Sequence, residues 1–333
     1  MLTWMPELKG RSLMRMTSFT DEEMMNLIDL AAQLKARRAA GIRGDLLHRR
    51  NIALIFEKSS TRTRNSSIIA ARDEGGGAEY LTRPDIHFGK KESVKDTARV
   101  LGRIYDGILF RGFRQSTVEE LAKWSGVPVW NGLTDDYHPT QIFADLLTVK
   151  ETFGSLRDCT VAYVGDGRNN VANSLMVVSA KLGMHFCACG PKELMPAADL
   201  VEKCQAIAKE TGAVLEFTDD VKQGAKDCDV LYTDIWVSMG EPAELWEQRI
   251  KLLLPYQVNK EVMAMAKPTA IFLHCLPSFH DRNTTVGEDI YQKFGLEAME
   301  VTDDVFLGTQ ARQFQEAENR MHTIKAVMYA TLK

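Results

Sequence analysis

No run of about 18 or more apolar residues occurs in this chain, so no segment reads as a membrane-spanning helix. The opening stretch MLTWMPELKGRSLMRM also lacks the apolar core of a signal peptide, and a cytoplasmic location is the expectation. Cysteine is missing from the first 158 residues: all 6 (Cys159, Cys187, Cys189, Cys204, Cys228 and Cys275) lie beyond them. Without a secretory signal their even number implies no disulfide framework, and reduced thiols are expected. A broad positive field is absent as well. The chain carries 41 Lys+Arg against 45 Asp+Glu, a formal net charge of -4, which removes the bulk electrostatic case for binding nucleic acid or a membrane surface. Internal repeats and low-complexity tracts are not found. What is present is an ordinary apolar content of 45% with 26% charged residues over 333 positions, which excludes wholesale disorder and leaves room for two domains.

The pattern along the chain is an alternation. Thr20-Asp21-Glu22-Glu23 reads as a capping box that opens a helix ending near Gly41. NIALIF (51–56) reads as a strand, Ser60–Arg72 as the helix after it, and Gly75-Gly76-Gly77 as its stop. AEYL, ESVKDTARVLGRIY, GILF, TVEELAKW, VPVWNG and TQIFADLLTVKETF continue the series. A second series begins near Cys159 with TVAYVG, Asn169–Leu182, HFCAC, Ala198–Thr211, VLEFT, VLYTDIW and AIFLHCLP, and a final helix covers Ala317–Leu332. Short apolar strands alternating with helices predict parallel sheets covered on both faces: two doubly wound α/β domains joined through the helix 139–153. Cys187 and Cys189, two apart on a strand, share a face and belong to a core.

In such sheets ligands sit beyond the carboxyl ends of the strands, near helix N-termini. After NIALIF comes Glu57-Lys58-Ser59-Ser60-Thr61-Arg62-Thr63-Arg64, far more donors than one helix cap needs, and the right set for an anion of phosphate size. Arg111 follows GILF, and His138-Pro139-Thr140-Gln141 follows VPVWNG, so three strand ends carry a cation or a strong donor. Together they point to one polar pocket for a small anionic substrate. Gly165-Asp166-Gly167-Arg168-Asn169-Asn170 begins like a dinucleotide fingerprint, but Asn170 stands where the third glycine belongs, and no lone acid follows at the next strand end; a nicotinamide dehydrogenase is therefore poorly supported. Asp234, after VLYT, suits an amine or a helix cap. Cys275 is a nucleophile or a positioned binding thiol, and His274, His280 and Cys275 match no standard zinc spacing.

SSTRTR, FRG, HPTQ, GDGRNN, DIWVSMGE, HCLP and ENRMHTIKAV occur in the order found in ornithine carbamoyltransferases. The chain resembles that family from about Met16 to its end, and LLPYQVN resembles its catabolic, arginine-deiminase-pathway type. The resemblance implies a carbamoyl-phosphate-binding domain over 1–149, with the last helix 317–333 packing back onto it, an ornithine-binding domain over 150–316, and an active-site cleft between them. It implies that Ser60, Thr61, Arg62 and Thr63 hold the phosphate. Arg111, His138 and Gln141, with Thr63, would hold and polarise the carbamoyl group, and Arg320 would reach back into that site. Asn170, Asp234, Ser238 and Met239 would bind the amino-acid end of ornithine, while Cys275 and Leu276 would line the place where its δ-amine meets the carbonyl. No cofactor or metal is implied, and the assembly would be a homotrimer, or several, with active sites bordered by a neighbouring chain's loop.

This chain departs from the family in four places. His87 stands for the usual glutamine of that loop, as a group that titrates near neutrality. Asn65-Ser66-Ser67 replace apolar residues in the anion-site helix, so its packing is in question. Ser278 replaces an alanine, and Gly308–Gln315 is more polar than usual. The competing readings are a carbamoyltransferase for putrescine or another amine and a weakened, binding-only relative. Putrescine has no α-amino or α-carboxylate group for Asp234 and the Ser238-Met239-Gly240 segment to hold.

Overall fold

The computed structural model describes residues 2–3, 5–86, 91–237 and 243–332. They form two compact units, Met1–Glu151 with Glu316–Lys333, and Thr152–Gln315.

In the first unit, α1 (Asp21–Ala39) opens on Thr20, whose Oγ1 accepts the Glu23 N–H at 3.2 Å while the Glu23 carboxylate accepts the Thr20 N–H at 2.7 Å. That is the reciprocal cap predicted from the sequence. There follow β1 (Asn51–Phe56), α2 (Thr61–Asp73), β2 (Gly77–Thr82), α3 (Val94–Ile104), β3 (Gly107–Arg111), α4 (Gln115–Ser125), β4 (Val129–Leu133) and α5 (Pro139–Phe153). Helix α2 stops before Gly75, which takes φ +76°, a conformation that side chains with a Cβ resist. All strand pairs are parallel, in the order β2-β1-β3-β4. The inner strands β1 and β3 are buried almost end to end, whereas edge strand β2 is half-exposed. This is why NIALIF and GILF are unbroken apolar runs and GAEYLT is not.

The second unit contains β5 (Thr160–Val164), α6 (Asn170–Leu182), β6 (His185–Cys189), α7 (Ala198–Thr211), β7 (Val214–Thr218), α8 (Val221–Ala225), β8 (Val230–Thr233), α9 (Ala243–Leu253), α10 (Lys260–Met263), β9 (Ile271–His274), α11 (Thr285–Phe294) and α12 (Asp303–Phe306). Its sheet is also parallel, in the order β7-β6-β5-β8-β9. Cys187 and Cys189 lie in its core beside Ala162, Val164, Leu231 and Phe272, and every cysteine of the chain is a free thiol. The last strands are shorter than VLYTDIW and AIFLHCLP predict. Pairing ends at Thr233 opposite His274, and Asp234 turns its carboxylate onto the next N–H, that of Ile235, at 2.8 Å. Helices α8 to α12 are additional to the alternation that the sequence pattern predicts. The polar segment 308–315 runs beside β9: the Phe272 N–H donates to the Gln310 carbonyl at 3.0 Å, and the Phe272 carbonyl accepts the Arg312 N–H at 2.9 Å. It closes a sheet edge through its backbone, so it has little need of apolar side chains.

In both sheets the first strand lies inside, the next pairs on one side of it, and a later one pairs on the other. The order therefore reverses between β1 and β3, and between β5 and β8. A crevice opens at such a point, because the connections on its two sides leave in opposite directions.

The final helix α13 (Gln313–Leu332) returns the chain to the first unit. There Trp130 Nε1 donates to Thr331 Oγ1 at 3.0 Å, and Lys325, only 2% exposed, holds Asp73 at 3.0 Å and Glu74 at 3.4 Å. No helix among the described residues is long and apolar enough to cross a membrane. Because Lys325 neutralises two carboxylates at the C-terminal end of α2, Lys325→Met should destabilise the protein by about 3 kcal/mol, as removing one partner of a buried ion pair does. A urea titration of both proteins checks this; an unchanged midpoint would show that the pair contributes nothing.

Candidate active site

The switch point of the first sheet gathers the donors singled out in the sequence. Register places Arg111 level with Phe56, so β1 and β3 end side by side where the chain enters Ser60–Arg64. Ser60 caps α2, its Oγ accepting the Thr63 N–H at 3.2 Å. Thr63 is fully buried and its hydroxyl accepts from Arg320 Nη2 at 2.8 Å, a contact spanning 257 positions that brings α13 to the start of α2. Arg320 also lies 3.5 Å from Thr140 Oγ1, which stands 3.4 Å from His138 Nδ1. His138 is buried, and its pKa is held well below the ordinary value by that burial and then by Arg320, Arg111 and Arg62. Three guanidinium charges thus act on an imidazole that stays neutral at pH 7.

Not every arginine of SSTRTR faces this cluster. Arg64 is exposed and stacks over Tyr80 at 4.0 Å. Gln141 is buried and donates through Nε2 to Asp145 at 2.8 Å and to Glu316 at 2.5 Å. With both amide hydrogens engaged, its carbonyl oxygen is the atom left to accept from a ligand N–H. The polar stretch after SSTRTR is accommodated inside α2: Asn65 Nδ2 donates to the Thr61 carbonyl at 2.8 Å, and the buried Ser67 hydroxyl donates to the Thr63 carbonyl at 2.7 Å.

The switch point of the second sheet gathers carboxylates and amides. Asn169 caps α6 by accepting the Val171 N–H at 2.7 Å, and its side chain also hydrogen-bonds Asp234, just beyond β8. Asp234 is largely buried, and that burial pushes its pKa up to about 6, against the opposing pull of His274 and of its hydrogen-bond donors. Asn170, in the first turn of α6, follows Asn169 in sequence and is half-buried. Cys275 is half-buried immediately after β9, and the Leu276 side chain packs on the apolar core. The buried ring of Tyr163 lies within electrostatic reach of Asp234, Asp166, Cys275 and Glu300, which marks these groups as one neighbourhood.

Glu300 is the residue that sequence reading missed. It is fully buried, and its Oε1 accepts from His274 Nε2 at 3.1 Å, Ser278 Oγ at 2.8 Å and the Phe279 N–H at 2.7 Å. Burial raises its pKa, but His274 and the backbone donors outweigh that and hold it below the ordinary value. It therefore ties both sides of Cys275-Leu276-Pro277 to one carboxylate, and the Ser278 hydroxyl has a partner there. The available signal was a lone acid between Met299 and Val301, both fully buried. Thr140 was also missed as a member of these clusters, although it lies inside a quoted motif.

His87, Ser238 and Met239 lie outside the described residues. Among the described residues, the atoms grouped as metal ligands could be are those of His280, Asp281 and Asp303, all within 4.8 Å; neither His274 nor Cys275 is among them. His280 is engaged already, with Asp303 at 2.7 Å and stacked on Phe306.

Two family descriptions match this chain. Residues 11–151 match "Aspartate/ornithine carbamoyltransferase, carbamoyl-P binding domain", and residues 157–331 match "Aspartate/ornithine carbamoyltransferase, Asp/Orn binding domain". The chain is 57% identical over 325 residues to a catabolic ornithine carbamoyltransferase of Treponema denticola, covering 98% of this chain and 96% of that one. It is 55% identical over 330 residues to ornithine carbamoyltransferase 1, catabolic, of Streptococcus agalactiae, covering 98% and 99%. Among solved structures, the ornithine carbamoyltransferase of Pyrococcus furiosus matches with a TM-score of 0.90 at 39% identity, covering 98% of each chain. That of Gloeobacter violaceus matches at 0.82 and 37%, covering 98% and 99%. Agreement on this scale, along nearly the whole length, means that the chain belongs to the aspartate/ornithine carbamoyltransferase family.

Proposed function

We infer that the chain is an ornithine carbamoyltransferase of the catabolic type, which transfers the carbamoyl group of carbamoyl phosphate to the δ-amine of L-ornithine, reversibly, giving L-citrulline and phosphate. The observation that carries this reading furthest is the convergence of Arg62, Arg111 and Arg320 on a neutral, buried His138 at the start of α2.

The chemistry follows from the charges. The lone pair of the neutral δ-amine attacks the carbamoyl carbon, and negative charge develops on the carbonyl oxygen. Arg111, His138 and Thr63 are the donors we assign to that oxygen, preorganised so that no reorientation is needed as the charge appears. The C–N bond forms, the C–O bond to phosphate breaks, and the proton that the amine loses passes to the departing phosphate. The departing phosphate is assigned to Ser60, Thr61, Arg62, Thr63 and the free N–H groups of α2, where helix and guanidinium charge favour an anion. The Gln141 carbonyl suits the carbamoyl NH2. On the ornithine side we assign Asn170 and Asp234, with Ser238 and Met239, to the α-amino and α-carboxylate groups, and Cys275 and the backbone of Leu276 to the δ-amine. A buried carboxylate at Asp234 supports ornithine over putrescine, which would leave it without a partner. Cys275 acts by position, because the amine is itself a competent nucleophile once neutral. The working form is proposed to be a homotrimer or an assembly of trimers, with the His87 segment serving a neighbouring chain, as the family resemblance implies.

Citrulline formation with ornithine, putrescine and lysine offered in parallel tests the substrate; turnover on putrescine in place of ornithine would refute the assignment. Arg62→Ala should lower kcat/KM for carbamoyl phosphate by ~100-fold or more, the scale of losing a preorganised charged donor. Asp234→Ala should raise KM for ornithine by ~30-fold or more and leave KM for carbamoyl phosphate nearly unmoved, since it truncates one partner of a desolvated charge pair. Unchanged ornithine kinetics in that variant would remove Asp234 from the site.

The pH profile is a further check. Asp234 must be ionised to hold an ammonium, and its pKa is raised to about 6, so kcat/KM for ornithine should fall as the pH drops through about 6. His138, held neutral, should add no step between pH 6 and 9. A profile flat down to pH 5, or an acid limb that persists unshifted in Asp234→Asn, would contradict this.

A further inference from the structure

The GDGRNN turn is gripped by a salt bridge that the chemistry above leaves unused. Asp166 pairs through Oδ2 with Arg249 of α9, while its Oδ1 accepts the Arg168 N–H at 3.0 Å. The two side chains are 13% and 20% exposed, so this pair is screened far less than a surface one. Arg168, the other cation near Asp166, stands off at 3.5 Å with its side chain 48% exposed. From Asp166 the contacts continue inward. Its carbonyl accepts the Asn169 N–H at 3.1 Å, and Asn169 Oδ1 is occupied by the Val171 N–H. The amide nitrogen of Asn169 is therefore the atom that meets Asp234. Arg249, Asp166, Asn169 and Asp234 thus form one connected series inside the second unit.

Both ends of this series are fixed by packing. Ile250 and Leu253, next to Arg249 on α9, are buried with Leu194, Trp236, Val237 and Phe279. On the turn itself, a Cβ at Gly167 would come within 2.9 Å of the Leu194 carbonyl and of Pro196, so the loop already lies against its neighbours. An anchored guanidinium at one end and a buried carboxylate at the other hold the short GDGRNN turn between them.

We propose that Arg249 and Asp166 are positioning residues for ornithine: they hold the GDGRNN turn so that the Asn169 amide meets Asp234 and keeps that carboxylate set to receive the amine. This rests on the reading of Asp234 as the group that binds ornithine. Without Arg249, Asp166 keeps only local partners, the turn shifts, and Asp234 loses a donor that favours its charged form.

The test is steady-state kinetics on the full-length protein with Arg249→Gln, Arg249→Lys, Asp166→Asn and the double variant R249Q/D166N. R249Q should raise KM for ornithine by ~10-fold, leave KM for carbamoyl phosphate within ~2-fold, and move the acid limb of kcat/KM for ornithine to higher pH, the split expected of a lost ornithine-side interaction. R249K should recover part of the loss, and the double variant should be no worse than its poorer parent, as for two members of one link. Folded R249Q with ornithine KM and acid limb unmoved would overturn the proposal. So would a parallel rise in both KM values, which is what a merely structural link predicts. If R249Q does not fold, D166N, which keeps the shape of the carboxylate, decides on the same criteria. Wild-type protein run alongside separates the two levels: no citrulline from wild type overturns the functional reading and this proposal with it. Normal wild-type turnover beside an unmoved variant overturns the proposal alone.

Discussion

Each parallel sheet places its first strand inside and builds outward in both directions, and the rest of the site follows from that constraint. Connections to one side leave β1 and β5 one way, those to the other side leave the opposite way, and the ends of the flanking strands are left uncovered. In the first unit this exposes the start of α2 beside Arg111; in the second it exposes the GDGRNN turn beside Asp234. The right-handedness of βαβ crossovers makes the arrangement nearly obligatory once the strand order is set.

The two switch points carry opposite chemistry. The first collects guanidinium groups and keeps its histidine uncharged: burial and the neighbouring arginines act in the same direction on His138, so it adds a donor or acceptor without adding repulsion. The second collects carboxylates whose environments push them apart. Asp234 is raised towards neutrality by burial, whereas Glu300, fully buried, is held ionised by His274 and by backbone donors. One acid is thus left responsive to a ligand's charge, and the other is committed to holding the segment around Cys275. Such divergence between neighbouring titratable groups is a common mark of a site built for chemistry.

The departures from the family pattern have local physical answers where the structure describes them. Asn65 and Ser67 satisfy their polar groups on helix carbonyls, so α2 accommodates them without leaving a polar group unmet. Ser278 adds a third donor to one oxygen of Glu300. The polar segment 308–315 pairs its backbone with β9. None of these changes displaces a residue of the arginine cluster or of the Asp234 neighbourhood.

The sequence by itself determined the alternating α/β pattern, the Thr20 cap and the glycine stop after α2, because periodicity, caps and glycine stops are local properties. It also marked most of the residues that gather at the two switch points, since the ends of parallel strands can be recognised wherever an apolar run gives way to hydroxyls, arginines or a histidine. Tertiary structure decided what meets what. Arg320 reaches Thr63 across 257 positions. Arg64 turns out to Tyr80 while Arg62 turns in. Glu300 closes on His274, and Arg249 on Asp166. These contacts join distant segments through single side chains, and nothing in the spacing of residues along the chain records which direction each one takes once the sheets have folded.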